Sequence, residues 1–371
     1  MARTQAGAAA RIGIVLHDFA PGGTERIIIR LANHMAAAGR QVTILCGHDQ
    51  GPARGLVGGG IVVRALNPQV SRGLGSRRRF AQRLAAALTT PAFDVLVGPG
   101  NYHLAVLAGL FDQGVTIPMV AKLSNPLDRP DLGRLRQALF ARAKRSQTRG
   151  LARLVAMSRA LAEEARTVLP AAPITVIPEP IIDRPSPTPS PSARSGPPRV
   201  LAAGRLVAQK RVDLALHAFA AWHEPGARLI IAGDGDERPA LEKLARKLGI
   251  SDRTQFAGRL PDLTTVFRGA DLLLSTSAYE GFPATLVEAI VAGLPVVTTP
   301  SSVALPEIFC HPSFGTIATS EPTALAEALA AAWRGPPIEQ EARRALAARH
   351  DAGASAALWL EMLDSVVAEQ R

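Results

Sequence analysis

Short apolar runs of strand length recur along the chain and alternate with stretches whose apolar residues return every three or four positions. The first set of runs is Arg11–Leu16, Gln41–Cys46, Ile61–Leu66, Asp94–Gly98, Pro118–Lys122, Leu154–Met157 and Thr175–Ile177. The second is Arg199–Ala203, Ala227–Ala232, Thr254–Ala257, Asp271–Ser275, Leu294–Thr298 and Gly315–Ala318. Strands separated by helical patterns predict parallel sheets covered by helices on both faces. Between the sets lies PEPIIDRPSPTPSPSARSGPPR, residues 178–199, rich in proline and serine and without apolar periodicity. It reads as a linker. The expected fold is therefore α/β, with two doubly wound Rossmann-like domains facing across a cleft. Residues 1–183 form the first domain, 184–198 the linker and 199–350 the second domain. Residues 351–371 form a C-terminal helix, amphipathic over Ala354–Val367, suited to lie back on the first domain.

Composition narrows this picture only slightly. A chain of 371 residues that is 47% hydrophobic has ample material for two cores. Cys46 and Cys310 are the only cysteines and lie far apart, which gives no disulfide framework and suits a reducing compartment. The first apolar run is too short for a signal-peptide core, and no stretch approaches a membrane span, so a cytoplasmic protein is expected. Charge is more informative. Residues 1–183 carry 23 Lys+Arg against 11 Asp+Glu, whereas residues 184–371 carry 19 against 20. The whole excess sits in the first half and points to an acidic partner there, unless it is the uncommitted surface of an arginine-rich protein.

The strongest local signal is AYEGFPATLVEAIVAGLPVV, residues 278–297. Pro283 suits a helix start, Leu286, Val287, Ile290 and Val291 make one apolar face, and Gly293 with Pro295 marks the stop. Glu280 then lies in the loop beyond the carboxyl end of a strand, where open α/β sheets bind ligands. Glu288 falls in the second helical turn, and its side chain leans toward the helix N-terminus. That terminus offers unpaired N–H groups to an anion such as phosphate. Carboxylates repel phosphate, so these two are read as acceptors for neutral hydroxyls beside it. Hydroxyl-rich groups joined through phosphate describe a nucleotide sugar.

Other polar stretches fall at the same kind of strand end. AAGRLVAQKRVD places Gly204, Arg205 and Lys210 after a strand, with backbone freedom and fixed positive charge for phosphates, though such charges are often merely solvated. LIIAGDGDERP carries Asp234 and Asp236; a turn into the next helix accounts for them better than a metal site, which needs more oxygen ligands. Gly22 and Gly23 precede Thr24, an expected helix cap, and serve either a ligand or an ordinary turn. Asn101 is the expected cap of the helix after Asp94–Gly98, with His103 in its first turn as a neutral imidazole. KLSNP, with Lys122 and Asn125, is a further polar strand end with no role beyond lining the cleft. The chain has neither G-x-G-x-x-G nor a P-loop, which disfavours nicotinamide chemistry and P-loop hydrolysis.

Taken together, PGGTERIIIRLANHMAAAGRQVTIL, VAMSRALAEEA, AGRLVAQKRVDLALHAFA, LIIAGDGDERPALEKLARKLGISDRTQFAGRL and YEGFPATLVEAIVAGLPVVTT resemble the glycosyltransferase family 4 (group 1) enzymes of the GT-B fold. The resemblance covers nearly the whole chain, and its most specific part is the spacing of Glu280 and Glu288. It implies a retaining glycosyltransferase that takes a sugar from a nucleoside diphosphate donor. Arg205 and Lys210 match the diphosphate-binding pair, Glu280 the carboxylate near the sugar and Glu288 the one on the ribose. The backbone of Gly281, Phe282, Pro283, Ala284, Thr285 and Leu286 would surround sugar and phosphate. Gly22, Gly23 and Gly204 match glycines facing the phosphates, His103 the histidine beside the transferring sugar, and Gly258, Arg259 and Leu260 the base-contacting loop. The implied catalytic set is His103, Arg205, Lys210 and Glu280, with no metal and no cofactor. VIPEPIID lacks the usual asparagine and TPSSVALPEI the usual glycine pair, which leaves Glu307 without a role.

The expected partners are the nucleotide sugar, a lipid-linked or saccharide acceptor of cell-surface polysaccharide or glycolipid synthesis, and an anionic membrane surface reached from the cytoplasmic side. Arg72, Arg77, Arg78, Arg79 and Arg83, and then Arg134, Arg136, Arg142, Lys144, Arg145, Arg149 and Arg153, carry the basic excess. Leu135, Leu139 and Phe140 are interleaved with the second group, a mixture suited to a membrane boundary. Nucleic acid is not expected, since stacking residues and nucleic-acid motifs are lacking. The alternatives on the same fold are a non-catalytic nucleotide-sugar-binding protein and a sugar-nucleotide epimerase.

Overall fold

The computed structural model describes residues 8–88, 93–128, 132–183, 196–260 and 264–370. The chain forms two compact units, Met1–Asp183 with His350–Arg371, and Arg184–Arg349. Most of the proline-serine segment, residues 184–195, lies outside the described residues.

The first unit is built on β1 (Arg11–Leu16), β2 (Gln41–Cys46), β3 (Val62–Ala65), β4 (Val95–Gly98), β5 (Met119–Lys122), β6 (Arg153–Ala156) and β7 (Ile174–Val176). They make a parallel seven-stranded sheet in the order β3-β2-β1-β4-β5-β6-β7. Its helices are α1 (Gly23–Ala37), α2 (Ser76–Ala87), α3 (Leu104–Asp112), α4 (Gly133–Gln147) and α5 (Arg159–Val168). Strands β1 and β4 are buried almost throughout, as two-sided cover requires. The second unit holds β8 (Arg199–Ala203), β9 (Arg228–Ala232), β10 (Thr254–Gly258), β11 (Leu272–Ser275), β12 (Val296–Thr298) and β13 (Gly315–Ile317). Its parallel order is β10-β9-β8-β11-β12-β13. Helices α6 (Val212–Ala221), α7 (Arg238–Lys247), α8 (Thr264–Arg268), α9 (Ala284–Ala292), α10 (Leu305–Ile308), α11 (Pro322–Arg334) and α12 (Gln340–Arg349) complete it.

Every expected strand forms, with ends displaced by a residue or two. At β12 the strand starts only at Val296, because Pro295 has no N–H for the ladder, although its carbonyl still accepts from Leu273 (3.0 Å). Two helix starts differ from expectation. Thr24 is not the cap of α1: Gly22 holds that position without any side-chain bond. Asn101 is not the cap of α3, because His103 is. The Asn101 amide is used instead to tie the loop after β4 to the loop after β5, accepting from Ser124 N–H (2.8 Å) and donating to the Asn125 carbonyl (2.9 Å).

After the second unit the chain returns to the first as α13 (Ala352–Glu369). Ile182 and Asp351 form a parallel bridge at that return, and Asp351 caps the helix by accepting from Ala354 N–H (2.7 Å). Helix α13 packs on α1 and buries Trp359, Leu363 and Val366 in one core with Ile12, Ile14 and Ile28. Arg40 holds its far end through a two-pronged pair with Asp364 (2.8 and 3.1 Å).

Lys122, at the carboxyl end of β5, donates to Glu179 Oε1 at 2.5 Å, and both side chains are almost wholly buried. Lys122 therefore serves a buried ion pair and does not line the cleft. Removing one partner strands a charge in the interior, whereas replacing both removes the problem. Lys122→Met is therefore expected to cost about 3–5 kcal/mol in urea unfolding of the first unit. The double variant Lys122→Met/Glu179→Leu should recover most of it. A wild-type midpoint for the single variant would show that the pair does not bear on stability.

Candidate functional site

In each sheet two neighbouring strands mark the place where the winding order reverses: β1 and β4 in the first unit, β8 and β11 in the second. Chains leave such a pair in opposite directions, so a crevice opens beyond their carboxyl ends. The candidate residues gather at these two points. Gly22 and Gly23 follow β1, His103 follows β4, Gly204, Arg205 and Lys210 follow β8, and Glu280 follows β11.

In the second unit the crevice is a shallow recess lined by Gly204, Leu206, Lys210, Ser275, Thr276 and Ser277. Lys210 Nζ donates to Glu280 Oε1 at 2.5 Å, so the cation assigned to phosphate and the carboxylate assigned to sugar are held together across the crevice. Two loops are stitched to fix that contact. Ala278 N–H donates to the Gln209 carbonyl (2.8 Å), Gln209 Nε2 to the Tyr279 carbonyl (2.8 Å), and the Thr276 hydroxyl to the Arg211 carbonyl (2.7 Å). Arg211 adopts a left-handed φ of 46° to start α6, a strained position for a residue with a Cβ. Arg205 is exposed, and its guanidinium has no partner among the described residues.

Glu280 is also held from behind. Its N–H donates to the Ser301 carbonyl (2.6 Å), and the Ser302 hydroxyl donates to the Gly281 carbonyl (2.7 Å). The Ser301-Ser302 pair thus braces the Glu280–Gly281 turn from the loop after β12. This contribution was not foreseen from the sequence, although its position just beyond a strand end was the available signal. Pro283 is the N-cap of α9 rather than its first residue, and Glu288 sits half-buried in the second turn. The Ala284 N–H is used by the Phe282 carbonyl and that of Leu286 by the Pro283 carbonyl.

The Gly-Asp-Gly-Asp turn has a packing reason. A Cβ at Gly233 would run into the Gly204 carbonyl, and one at Gly235 into that of Leu206, so these glycines let the loop after β9 lie against the loop after β8. Asp234 is exposed and accepts from Gly235 N–H (2.9 Å), as a turn aspartate does, and Asp236 is exposed as well. Gly258 ends β10 at φ 71°, with its carbonyl accepting from Gly233 N–H (2.8 Å). Arg259 follows exposed and Leu260 half-buried.

The first unit holds its candidates differently. A Cβ at Gly22 would meet the Glu25 carboxylate, the end of a side chain that could turn aside, whereas Gly23 has open space around it. His103 is wholly enclosed. Its Nε2 accepts from His17 N–H (3.1 Å), and its Nδ1 has no partner among the described residues. Burial, reinforced by the nearby Arg72 charge, holds its pKa down to about 3. Desolvation is the largest cause of its neutrality. Tyr102 and Phe80 stand edge-on to His17, and the Tyr102 hydroxyl pairs with His17 Nδ1 (3.3 Å) and Ser76 Oγ (3.2 Å).

Two family models match the chain, Glycosyl transferase 4-like domain over residues 22–180 and Glycosyl transferases group 1 over residues 185–351. Among curated relatives, the mannosylfructose-phosphate synthase of Agrobacterium fabrum is 38% identical over 112 residues, 27% of this chain and 25% of that protein. The lipopolysaccharide core biosynthesis glycosyltransferase LpsE of Rhizobium meliloti is 36% identical over 104 residues, 28% of this chain and 30% of that protein. The matched segments thus span a quarter to a third of these relatives. Among solved structures, Anabaena HepE in complex with UDP superposes with a TM-score of 0.75 at 20% identity, covering 96% of this chain and all of that one.

His103 and His17 are both held neutral by burial, whereas an unfolded chain takes up their protons below about pH 6.5. The stability tied to their neutral forms is complete above that pH and is lost as pH falls below it, for His103 progressively toward about 3. The urea midpoint of the first unit should accordingly fall between pH 7.5 and pH 5, and His103→Gln should shrink that dependence. An equal slope in variant and wild type would exclude His103 as its source.

Proposed function

The chain belongs to the GT-B glycosyltransferases, and we propose that it moves a sugar, with retention of anomeric configuration, from a nucleoside diphosphate sugar to a lipid-linked saccharide. The observation that carries this reading is the Lys210–Glu280 contact at the switch point of the second sheet, with Arg205 free beside it. An ammonium has three donors, so one can remain on Glu280 while two reach phosphate oxygens. Glu280 keeps its second oxygen for a sugar hydroxyl, and Glu288 would accept from the ribose. As the glycosidic bond breaks, charge develops on the leaving diphosphate, where Arg205, Lys210 and the start of α9 offer stabilisation without reorganisation. Charge of that kind placed by side chains requires no metal ion. The departing phosphate can take the acceptor hydroxyl's proton on the same face of the sugar, which needs no protein nucleophile. Because HepE, which shares the fold, is solved with UDP, a uridine diphosphate sugar is the first donor to try.

The acceptor reading rests on the basic first unit. On α4, Leu135 is 76% and Leu139 61% exposed, one turn apart and flanked by exposed Arg134, Arg136 and Arg142. Apolar groups set among arginines suit an anionic membrane surface, where each basic residue contributes about 1 kcal/mol. No helix among the described residues is long and apolar enough to cross a membrane.

The decisive experiment is release of nucleoside diphosphate from a panel of nucleotide sugars, with lipid-linked acceptors and with chelator present throughout. Glu280→Ala and Glu288→Ala should each lower turnover by about tenfold or more, as loss of a charged hydrogen bond implies. Full activity in both at limiting and saturating donor would overturn their roles, and metal-restorable loss under chelator would overturn the metal-free reading.

Membrane association has its own test. The protein should sediment with anionic vesicles at low salt and release as salt rises. Leu135→Ser/Leu139→Ser should weaken pelleting while sparing donor hydrolysis in solution. Equal pelleting with neutral vesicles, or none with anionic ones, would reject the surface assignment.

A further inference from the structure

Arg72 lies between β3 and α2, and three other segments of the first unit meet at its guanidinium. Nε and Nη2 donate to the two oxygens of Asp18, just beyond β1, at 2.6 and 2.9 Å. Nη2 also donates to Glu25 Oε1, in the first turn of α1, at 2.9 Å. The guanidinium carbon stands 4.9 Å from the centroid of the Tyr102 ring, in the loop after β4. That ring is in turn edge-on to His17 and His103.

Both carboxylates bear on the glycine turn that opens α1. Asp18 Oδ1 accepts from Ala20 N–H (3.0 Å), and the Ala20 carbonyl accepts from Gly22 N–H (2.9 Å). On the other side the Glu25 carboxylate lies against Gly22, in the space that a Cβ there would enter. One arginine therefore grips the turn from two sides. The arm that carries Arg72 is fixed as well. Val70 N–H donates to the Gly47 carbonyl (2.8 Å), Arg83 to the carbonyls of Pro68 and Gln69 (2.7 and 3.2 Å), and Arg79 to that of Leu74 (3.0 Å). Arg72, Arg79 and Arg83 of the first basic stretch thus use donors within the unit itself.

Stability does not account for this arrangement. The Arg72 side chain is 40% exposed, and ion pairs so open to water contribute little to folding. What the planar fork does supply is direction, because two bonds to one carboxylate and a third to another leave the joined segments little freedom. Burial raises the Glu25 pKa, and the Arg72 charge and hydrogen bond oppose that rise.

We propose that Arg72 is a positioning residue of the transfer reaction, holding the Ala20–Gly23 turn from both sides and so fixing Gly22 and Gly23 for the leaving diphosphate. The assignment rests on the transferase reading, in which those glycines face the donor phosphates. Groups fixed before charge develops stabilise it without reorganising, and a loosened turn loses that advantage chiefly in the transition state. Arg72 should therefore act on kcat more than on KM.

The clamp is read first without turnover, by amide hydrogen exchange at Ala20 and Gly22 in the full chain. Exchange should quicken by about tenfold or more in Arg72→Met, and also in Arg72→Lys, because a point charge cannot serve both carboxylates. Arg78→Ser, at an exposed neighbouring position, should leave it unchanged. Unaltered exchange in Arg72→Met, or an equal response in Arg78→Ser, overturns the clamp.

Turnover is then followed with the nucleotide sugar that the wild type hydrolyses fastest. Arg72→Met and Arg72→Lys should lower kcat by about tenfold or more, with donor KM within about threefold of wild type and the urea midpoint of the first unit retained. Wild-type kcat, or a loss matched by a fallen midpoint, overturns the positioning role. The triple variant Arg72→Met/Asp18→Asn/Glu25→Gln keeps the cluster neutral without the fork, and its kcat should stay low. Recovery there would show that Arg72 only masks two carboxylates, and would also overturn the role. If exchange responds to Arg72 while the wild-type protein releases sugar from no donor, the clamp on the turn stands and the transferase reading falls, taking the reaction role with it.

Discussion

Parallel strands that feed helices on opposite faces cannot keep their carboxyl ends covered, and the rest of the molecule is arranged around that constraint. At β8 and β11 the two departing loops diverge, and the polar groups stranded there must find partners from the opposite loop. Thr276 reaches the Arg211 carbonyl, Gln209 reaches the Tyr279 carbonyl, and Lys210 reaches Glu280. The crevice is thus kept open by hydrogen bonds across its mouth instead of being filled by side chains. A site of this kind is preorganised, because the loops that carry charge are fixed by the same bonds that satisfy their backbones.

The Lys210–Glu280 pair occupies a middle position between surface and interior. Its side chains are 24% and 13% exposed, so the pair is screened by water less than a surface pair and loses less solvation than a fully buried one. Lys122–Glu179 in the first unit shows the other limit, sealed and purely structural. Both are Lys–carboxylate contacts at 2.5 Å beyond parallel strands, and only their exposure separates them. A charge meant to meet a ligand has to remain partly wet before the ligand arrives, because the incoming phosphate replaces water that already solvates it.

The architecture was legible because it depends on local patterns. Alternating apolar runs mark the strands, Gly293 with Pro295 marks the end of α9, and the apolar face of Ala354–Val367 marks α13. Carboxylates and cations at strand ends were likewise visible, since position beyond a strand is a one-dimensional property. Partnerships were not. That Asn101 ties two loops instead of capping a helix, that Lys122 meets Glu179, and that Ser302 braces Gly281 all depend on which loops are neighbours in space. The enclosure of His103 was hidden for the same reason, because it comes from the packing of β1, α2 and the loop after β4 around one ring.

The two units differ in how they treat titratable groups, and the difference follows from packing. In the second unit Arg205, Lys210 and Glu280 lie between strand ends and helices, where water reaches them and exposure sets their strength. In the first, His17 and His103 stand edge-on to Tyr102 and Lys144 lies beside Phe140, and burial moves these three and Glu25 toward their uncharged forms. Desolvation by burial is therefore the common cause, and the arginines nearby cannot release a proton. Arg72 consumes the nearby acids.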